Sequence, residues 1–268
     1  MLWGWLCTDA DAGGPDGSWQ GAQSVPRVVE AAPNGRSAVT YPLPELASLR
    51  DEGGALATAG LTLRNASSLL LGIDGSMLDI EATITFTAAT SGGSALSCGV
   101  KVLADPTDPD GEGTIVVVNA AGSSAAGSSV GGRRSLNVEV LSRPSSAAAT
   151  PLASSLTSSP ASFPARRAAA MASADVDDGA ADLSGDLTVA LRVLVDASIV
   201  ESFVDGGAAA HTALPVRSGP AARGVYAVSS LVDASTGGAC TFSSLTVWPM
   251  KPFSYDTSLC AATGCLYP

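Results

Sequence analysis

Residues 77–88 read Met77-Leu78-Asp79-Ile80-Glu81-Ala82-Thr83-Ile84-Thr85-Phe86-Thr87-Ala88. Leu78, Ile80, Ala82, Ile84 and Phe86 fall on one side of an extended chain, and Asp79, Glu81, Thr83, Thr85 and Thr87 on the other. Successive side chains of a strand point to opposite faces, so this alternation predicts a half-buried β-strand, one face apolar and one wet.

Leu187, Val189, Leu191, Val193 and Val195 repeat the pattern, and residues 198–204 follow after the short turn Asp196-Ala197. Residues 100–104 and 114–119 flank an acidic Pro/Gly turn and predict a hairpin. Residues 224–231 and 239–248 predict two more strands, separated by Asp233-Ala234-Ser235-Thr236-Gly237-Gly238. Long stretches of helical period are absent. Many short strands with frequent turns predict an all-β fold of two antiparallel sheets, a β-sandwich or jelly roll. Ile80, Ile84, Phe86, Val193, Val195, Phe203 and Val247 are expected to point between the sheets.

Two stretches break the pattern. Residues 121–132 are rich in Gly, Ser and Ala, and residues 142–174 in Ser, Ala and Pro. Neither offers the apolar surface that offsets the entropy of ordering, so both are expected to be mobile surface loops. A further change of character comes at Pro42-Leu43-Pro44, where residues 45–50 are expected to form a short helical turn.

The chain of 268 residues carries a formal charge of -11, and only 15% of it is charged. Such a balance repels phosphate backbones and anionic membranes, so neither nucleic acid nor membrane is expected as a partner. No apolar run reaches the roughly 20 residues that span a bilayer. The five cysteines, Cys7, Cys98, Cys240, Cys260 and Cys265, show no C-x-x-C spacing. Cys260 and Cys265 are near enough to close a small loop, but spacing alone leaves connectivity open. One histidine and no cysteine cluster argue against a zinc site, and no cofactor is expected. The N-terminus lacks the basic start and cleavage site of a signal peptide.

Two separated blocks resemble the acid invertases and β-fructofuranosidases of glycoside hydrolase family 32. The first is Leu2-Trp3-Gly4-Trp5, then Trp19-Gln20-Gly21-Ala22-Gln23-Ser24-Val25-Pro26-Arg27, then Tyr41-Pro42-Leu43-Pro44-Glu45-Leu46. It is similar to the family's L-W-G-W, G-W-A-G-x-Q-S-I-P-R and Q-W-P-V-E-E-L. The second is Leu191-Arg192-Val193-Leu194-Val195-Asp196-Ala197-Ser198-Ile199-Val200-Glu201-Ser202-Phe203, and it continues to Leu245-Thr246-Val247-Trp248-Pro249-Met250. The resemblance implies that residues 1–43 are the end of the last blade of a five-bladed β-propeller. It further implies a linker at 44–56, a β-sandwich domain at 57–250 and a C-terminal tail at 251–268.

The family's chemistry depends on an Asp nucleophile in N-D-P-N-G, an Asp in R-D-P and a Glu acid/base in an E-C motif. A retaining glycosidase needs one carboxylate to attack the anomeric carbon and another carboxyl group to protonate the leaving oxygen. None of the three motifs occurs in this sequence, so no residue is expected to be catalytic. The parent activity implied is hydrolysis of β-fructofuranosides such as sucrose or fructans, by a secreted or vacuolar enzyme. This chain is expected to be non-catalytic by itself and to need a missing propeller portion as partner. The alternative is a stand-alone carbohydrate-binding or interaction sandwich.

Trp5 is the one candidate substrate contact, because an aromatic near this family segment walls the sugar pocket; the competing role is blade-core packing. Gln23, Pro26 and Arg27 are expected to pack within the blade. Asp196 and Glu201 form a tempting carboxylate pair, but turn stabilisation and cross-strand pairing with Arg192 fit them better. Asp105, Asp108, Asp110 and Glu112 place acidic oxygens before a glycine, as a Ca²⁺ loop does, yet the prolines favour a solvated hairpin turn. His211 has no nucleophile elbow to serve. Asn65-Ala66-Ser67 is a glycosylation sequon that matters only if the chain is secreted.

Overall fold

The structure, a computed structural model, describes residues 1–6, 22–32, 35, 37–64, 66–87, 96–121, 135–143, 173–174, 186–215, 222–231 and 239–252. Of the stretches expected to be mobile loops, 121–132 and 142–174, residues 122–132 and 144–172 lie outside the described residues, while Ala121, Ser142, Arg143, Ser173 and Ala174 are in strands, because their backbones join the sheet ladder. Trp19, Asn65, residues 253–268 of the expected tail, Cys7, Cys260 and Cys265 also lie outside the described residues.

Short strands dominate the described chain. β1 (Trp5–Leu6) pairs with β2 (Ala22–Gln23), and β3 (Arg27–Ala31) with β4 (Ala38–Pro42). A 3-10 turn, Pro44–Leu49, follows, as expected for residues 45–50, with a proline at its first position. Then come β5 (Leu56–Thr58), β6 (Leu61–Leu63), β7 (Ser67–Asp74), β8 (Met77–Thr87), β9 (Leu96–Ala104), β10 (Gly113–Ala121) and β11 (Ser135–Arg143). The rest are β12 (Ser173–Ala174), β13 (Leu187–Asp196), β14 (Ile199–Val204), β15 (Ala209–Ala213), β16 (Gly224–Leu231) and β17 (Ala239–Pro249). Among the described residues no helix is long and apolar enough to cross a membrane.

Two antiparallel sheets take up most of these strands. One has the order β12-β11-β10-β9-β16-β7. The other has the order β15-β14-β13-β8-β17-β5, with β6 also pairing with β17. The expected hairpin is β9–β10, and β13 and β14 are joined by the tight turn at Ala197-Ser198.

Register makes the core. Ile80 stands opposite Val193 on one side and Val247 on the other, and Ile84 opposite Val189 and Phe242. These rows face Val100, Val102, Val116 and Val118 of the other sheet in one continuous buried cluster. Leu78, Ile80, Ala82, Ile84 and Phe86, the apolar face read from residues 77–88, are all buried. β17 shifts register between Phe242 and Ser244. That bulge lets Phe242 and Leu245, three apart, both enter the core, which strict alternation forbids. A disulfide between Cys98 of β9 and Cys240 of β17 ties the two sheets together through the core.

Phe203 corrects the reading of the core. It is buried, but it stands opposite Arg192, while its neighbour Val204 stands opposite Leu191 and joins the core. Phe203 therefore lies on the outer face of the seven-stranded sheet. The N-terminal segments lie against this outer face. Gly207, at φ +94, meets β4 so closely that a Cβ would run into the Thr40 carbonyl oxygen.

Truncating the central contact tests this packing. Ile80→Ala removes buried methyl groups where neighbours on three strands converge, and is expected to cost about 3 kcal/mol. Thr83→Ala, on the outer face of the same strand, is expected to stay within about 0.5 kcal/mol. Urea unfolding midpoints of the two variants check the difference.

Candidate functional site

β8 and β13 place Asp79, Glu81 and Arg192 on the outer face of the seven-stranded sheet, with Arg192 directly opposite Glu81. The residues that follow the 3-10 turn bring Arg50 onto the same spot. Arg50 Nε donates to Asp79 Oδ2 at 2.8 Å. Arg192 donates to Asp79 through Nε at 3.0 Å and Nη2 at 2.8 Å. Arg50 also pairs with Glu81. The Asp79 carboxylate is fully buried, so these charge-assisted bonds offset a desolvation that would otherwise cost several kcal/mol. Burial works against the Arg50 charge, but its bonds to Asp79 and Glu81 prevail and hold its pKa above the usual value. The Arg50 guanidinium stacks 3.9 Å from the Trp248 ring, and Trp248 Nε1 donates to Glu52 at 3.0 Å.

A second anchor lies on β14. Glu201 is fully buried on the outer face, opposite Leu194. It accepts from the Val25 backbone N–H at 2.7 Å and from Thr212 Oγ1 at 2.9 Å, and it pairs with Arg27. Arg27 in turn lies 5.0 Å over the Phe203 ring. Two expectations are corrected here. Glu201 does not pair with Arg192, which is committed to Asp79 and Glu81. Arg27 does more than pack within its own strand pair: it reaches into the sandwich, because a buried carboxylate demands a partner. Asp196, exposed at the hairpin turn, is not brought to Glu201, so the tempting pair does not form.

Between the anchors and β4 opens a groove of about 520 Å³, lined among others by Tyr41, Pro42, Thr83, Arg192, Phe203 and Thr246. Its charged groups are already paired with each other, so it presents hydroxyls and aromatic faces rather than net charge. A smaller hollow of about 230 Å³ lies among Leu2, Gly4, Trp5, Ser24, Arg27 and Thr212. Trp5 stands at its rim, 65% exposed. Met1, Leu2, Trp3 and Val29 are the other large apolar side chains most open to solvent among the described residues.

The acidic loop at 105–112 is filled from within. Lys101, fully buried, donates to the carbonyl oxygens of Pro109 at 2.8 Å and Gly111 at 2.7 Å, with its ammonium 5.7 Å from the Tyr226 ring. Gly113 gives it passage, since a Cβ there would stand 2.7 Å from Lys101 Cε. Asp105 accepts from the hydroxyl and N–H of Thr107, which hold its carboxyl below the ordinary range. Asp108 accepts from the Asp110 N–H at 3.0 Å. Among the described residues no group of His, Cys, Asp and Glu is placed to hold a metal. His211 is a buried residue of β15, opposite Ser202.

Sequence reasoning did not single out Arg50, Asp79 or Lys101. The one available signal was a charge at each wet position of residues 79–81, which does not say that the face would be covered. Arg27→Ala, which leaves Glu201 buried and unpaired, is expected to lower stability by about 3 kcal/mol. It should also speed protease cleavage within residues 22–50. Urea unfolding with limited proteolysis measures both, and wild-type behaviour in both would show that the anchor is idle.

Residues 45–249 match the family described as glycosyl hydrolases family 32 C terminal. A comparison with curated proteins finds no match. Among solved structures, fructan 1-exohydrolase IIa from Cichorium intybus superposes with a TM-score of 0.59 at 18% identity, over 93% of this chain and 45% of that one. A variant fructofuranosidase from Schwanniomyces occidentalis, complexed with fructosylnystose, gives 0.53 at 11% identity, over 93% and 44%. At such identities the likeness speaks for the fold, and the chain spans less than half the length of these enzymes. With its two stacked antiparallel sheets and a family match over most of its length, the chain belongs to glycoside hydrolase family 32 as a C-terminal β-sandwich domain.

Proposed function

We propose that this chain is the non-catalytic C-terminal part of an invertase-like glycoside hydrolase whose whole form cleaves β-fructofuranosides such as sucrose or fructans. In that reading residues 1–43 complete the last propeller blade, 44–56 link it to the sandwich at 57–250, and 251–268 form a tail. The partner is the propeller portion, which supplies the nucleophile and the acid/base.

The observation that carries the reading is what the buried carboxylates do. Asp79 and Glu201 are both engaged by arginines of the N-terminal segments, Arg50 and Arg27. They orient that segment on the sandwich and are not free to attack or protonate a sugar. A retaining glycosidase holds its carboxyl pair about 5 Å apart with access for the substrate. The segment so oriented carries exposed Trp3 and Trp5, suited to cover or be covered by propeller surface. Trp5 would then wall the sugar pocket, and Asn65 would carry a glycan if the whole enzyme is secreted.

A second reading, a carbohydrate-binding module, is favoured by the groove beside Tyr41 and Phe203. Paired charges and cross-strand hydroxyls suit a neutral polyol, and the aromatic walls suit its apolar face.

Purified chain incubated with sucrose or a short fructan is expected to release no fructose above a buffer control. Release that survives repurification and is lost in Glu201→Gln or Asp196→Asn would overturn the non-catalytic reading. For the groove, titration calorimetry with a short fructan is expected to give binding that Tyr41→Ala weakens about tenfold, roughly 1.4 kcal/mol. Binding that Tyr41→Ala leaves unchanged removes the groove from consideration.

A further inference from the structure

Asp205, Gly206 and Gly207 turn the chain from β14 into β15 with φ values of +47, +65 and +94. The glycines have no Cβ to oppose such a backbone, but Asp205 has one, and the left-handed conformation is costly for it. The turn is also a joint. On one side Asp205 Oδ1 accepts from the Ala190 N–H of β13 at 2.9 Å. On the other, Gly207 presses on the Thr40 carbonyl of β4, and Gly206 lines the groove between β4 and the sheet.

An Asp-Gly pair is where a chain can rearrange on its own, because a glycine amide meets little steric hindrance in attacking the neighbouring carboxyl. Three such pairs have both residues described: Asp74-Gly75, Asp110-Gly111 and Asp205-Gly206. In the first two the attacking nitrogen is tied. The Gly75 N–H donates to the Arg223 carbonyl at 3.0 Å, and the Gly111 N–H to the Asp108 carbonyl at 3.2 Å. In the third, the bond that closes the turn runs from the Ala208 N–H to the Asp205 carbonyl at 3.5 Å and leaves the Gly206 N–H aside. Even a Cβ on Gly206 would meet nothing within 4 Å. The electrophile is prepared as well. The Ala190 N–H bonds an oxygen that gains charge as Asp205 Cγ becomes tetrahedral, at the distance of an oxyanion donor. Asp205 is exposed to water, yet burial of its carboxyl outweighs the Ala190 bond and pushes its pKa above the ordinary range, which favours the neutral acid.

We infer that Asp205-Gly206 is a site of spontaneous isoaspartate formation, and that the conversion loosens β4 from the sandwich. The Gly206 nitrogen attacks Asp205 Cγ and loses its proton, the carboxyl hydroxyl leaves as water, and a succinimide ring closes. Water then adds to one of the two ring carbonyls. Opening at Cγ restores aspartate. Opening at the main-chain carbonyl routes the backbone through Cβ and Cγ and leaves a carboxylate on Cα. One water is lost and one is gained, with no other reagent. The isoaspartate backbone is one carbon longer, and its carboxylate no longer extends toward Ala190. The turn then cannot keep both its bond to β13 and the close approach of Gly207 to Thr40. The inference stands whether or not the groove binds a sugar.

Ageing the purified chain tests it. The chain is held at neutral pH in heavy-oxygen water, digested and mapped by mass spectrometry, and an S-adenosylmethionine-dependent isoaspartyl methyltransferase marks the new carboxylate. Isoaspartate that carries heavy oxygen is expected to accumulate at Asp205 several-fold faster than at Asp74 or Asp110. In urea the three sites should react alike. Gly206→Ala should slow the reaction at Asp205 several-fold; if that variant does not fold, the wild-type comparison between buffer and urea decides. Limited proteolysis should cut the aged chain within residues 22–50 faster than the fresh one. Equal rates at the three sites in the native chain, or a lead of Asp205 that persists in urea, would show that the fold does not prepare this pair and would overturn the inference. Unchanged cleavage of a chain converted at Asp205 would overturn it equally.

Discussion

A buried carboxylate on a face that should be wet organises this molecule. Asp79 follows strict alternation out of the core of the sandwich, yet it is fully buried. An ion so placed is tolerable only with opposite charge and well-made hydrogen bonds around it. Arg192 comes from the neighbouring strand, but Arg50 must come from outside the sheet. The need for that second arginine fixes where the chain enters the sandwich. Glu201 imposes the same condition through Arg27 at another point of the face. The N-terminal segment is thus held at two separated points, which sets its orientation as well as its position.

Alternation made the sandwich legible. The core set of β8 and the inward residues of β13 follow from a period of two that any extended chain must express. Legibility failed where a local pattern was overridden by something distant. At Phe203 the sequence shows only a large aromatic in a short strand that mixes apolar and polar residues, and nothing local says which side is inner. At β17 the bulge resets the count, so Phe242 and Leu245 share a side. Arg27 and Glu201 lie 174 residues apart, and no spacing rule joins them. The disulfide was equally hidden, since its two cysteines lie on different sheets and only the stacking brings them together.

Under the function proposed above, a family domain can hold many acids and still do no chemistry of its own. A carboxylate that acts on a sugar must be reachable and free to change its protonation state. The sandwich employs its acids differently: as ion-pair partners at Asp79, Glu81 and Glu201, and as turn caps at Asp105 and Asp108. The work we propose for the domain is positional, because holding an adjoining segment in one orientation is what a site assembled from several chain regions requires.

The loop beside Lys101 carries a consequence of its own. Two of its carbonyl oxygens converge on an ammonium that belongs to the chain, whereas the oxygens of a Ca²⁺ loop enclose a dissolved cation. A counter-ion attached by covalent bonds cannot be chelated, exchanged or diluted away. The loop thus brings its own counter-ion to the carbonyl oxygens of Pro109 and Gly111, made in the same chain and in fixed proportion to it.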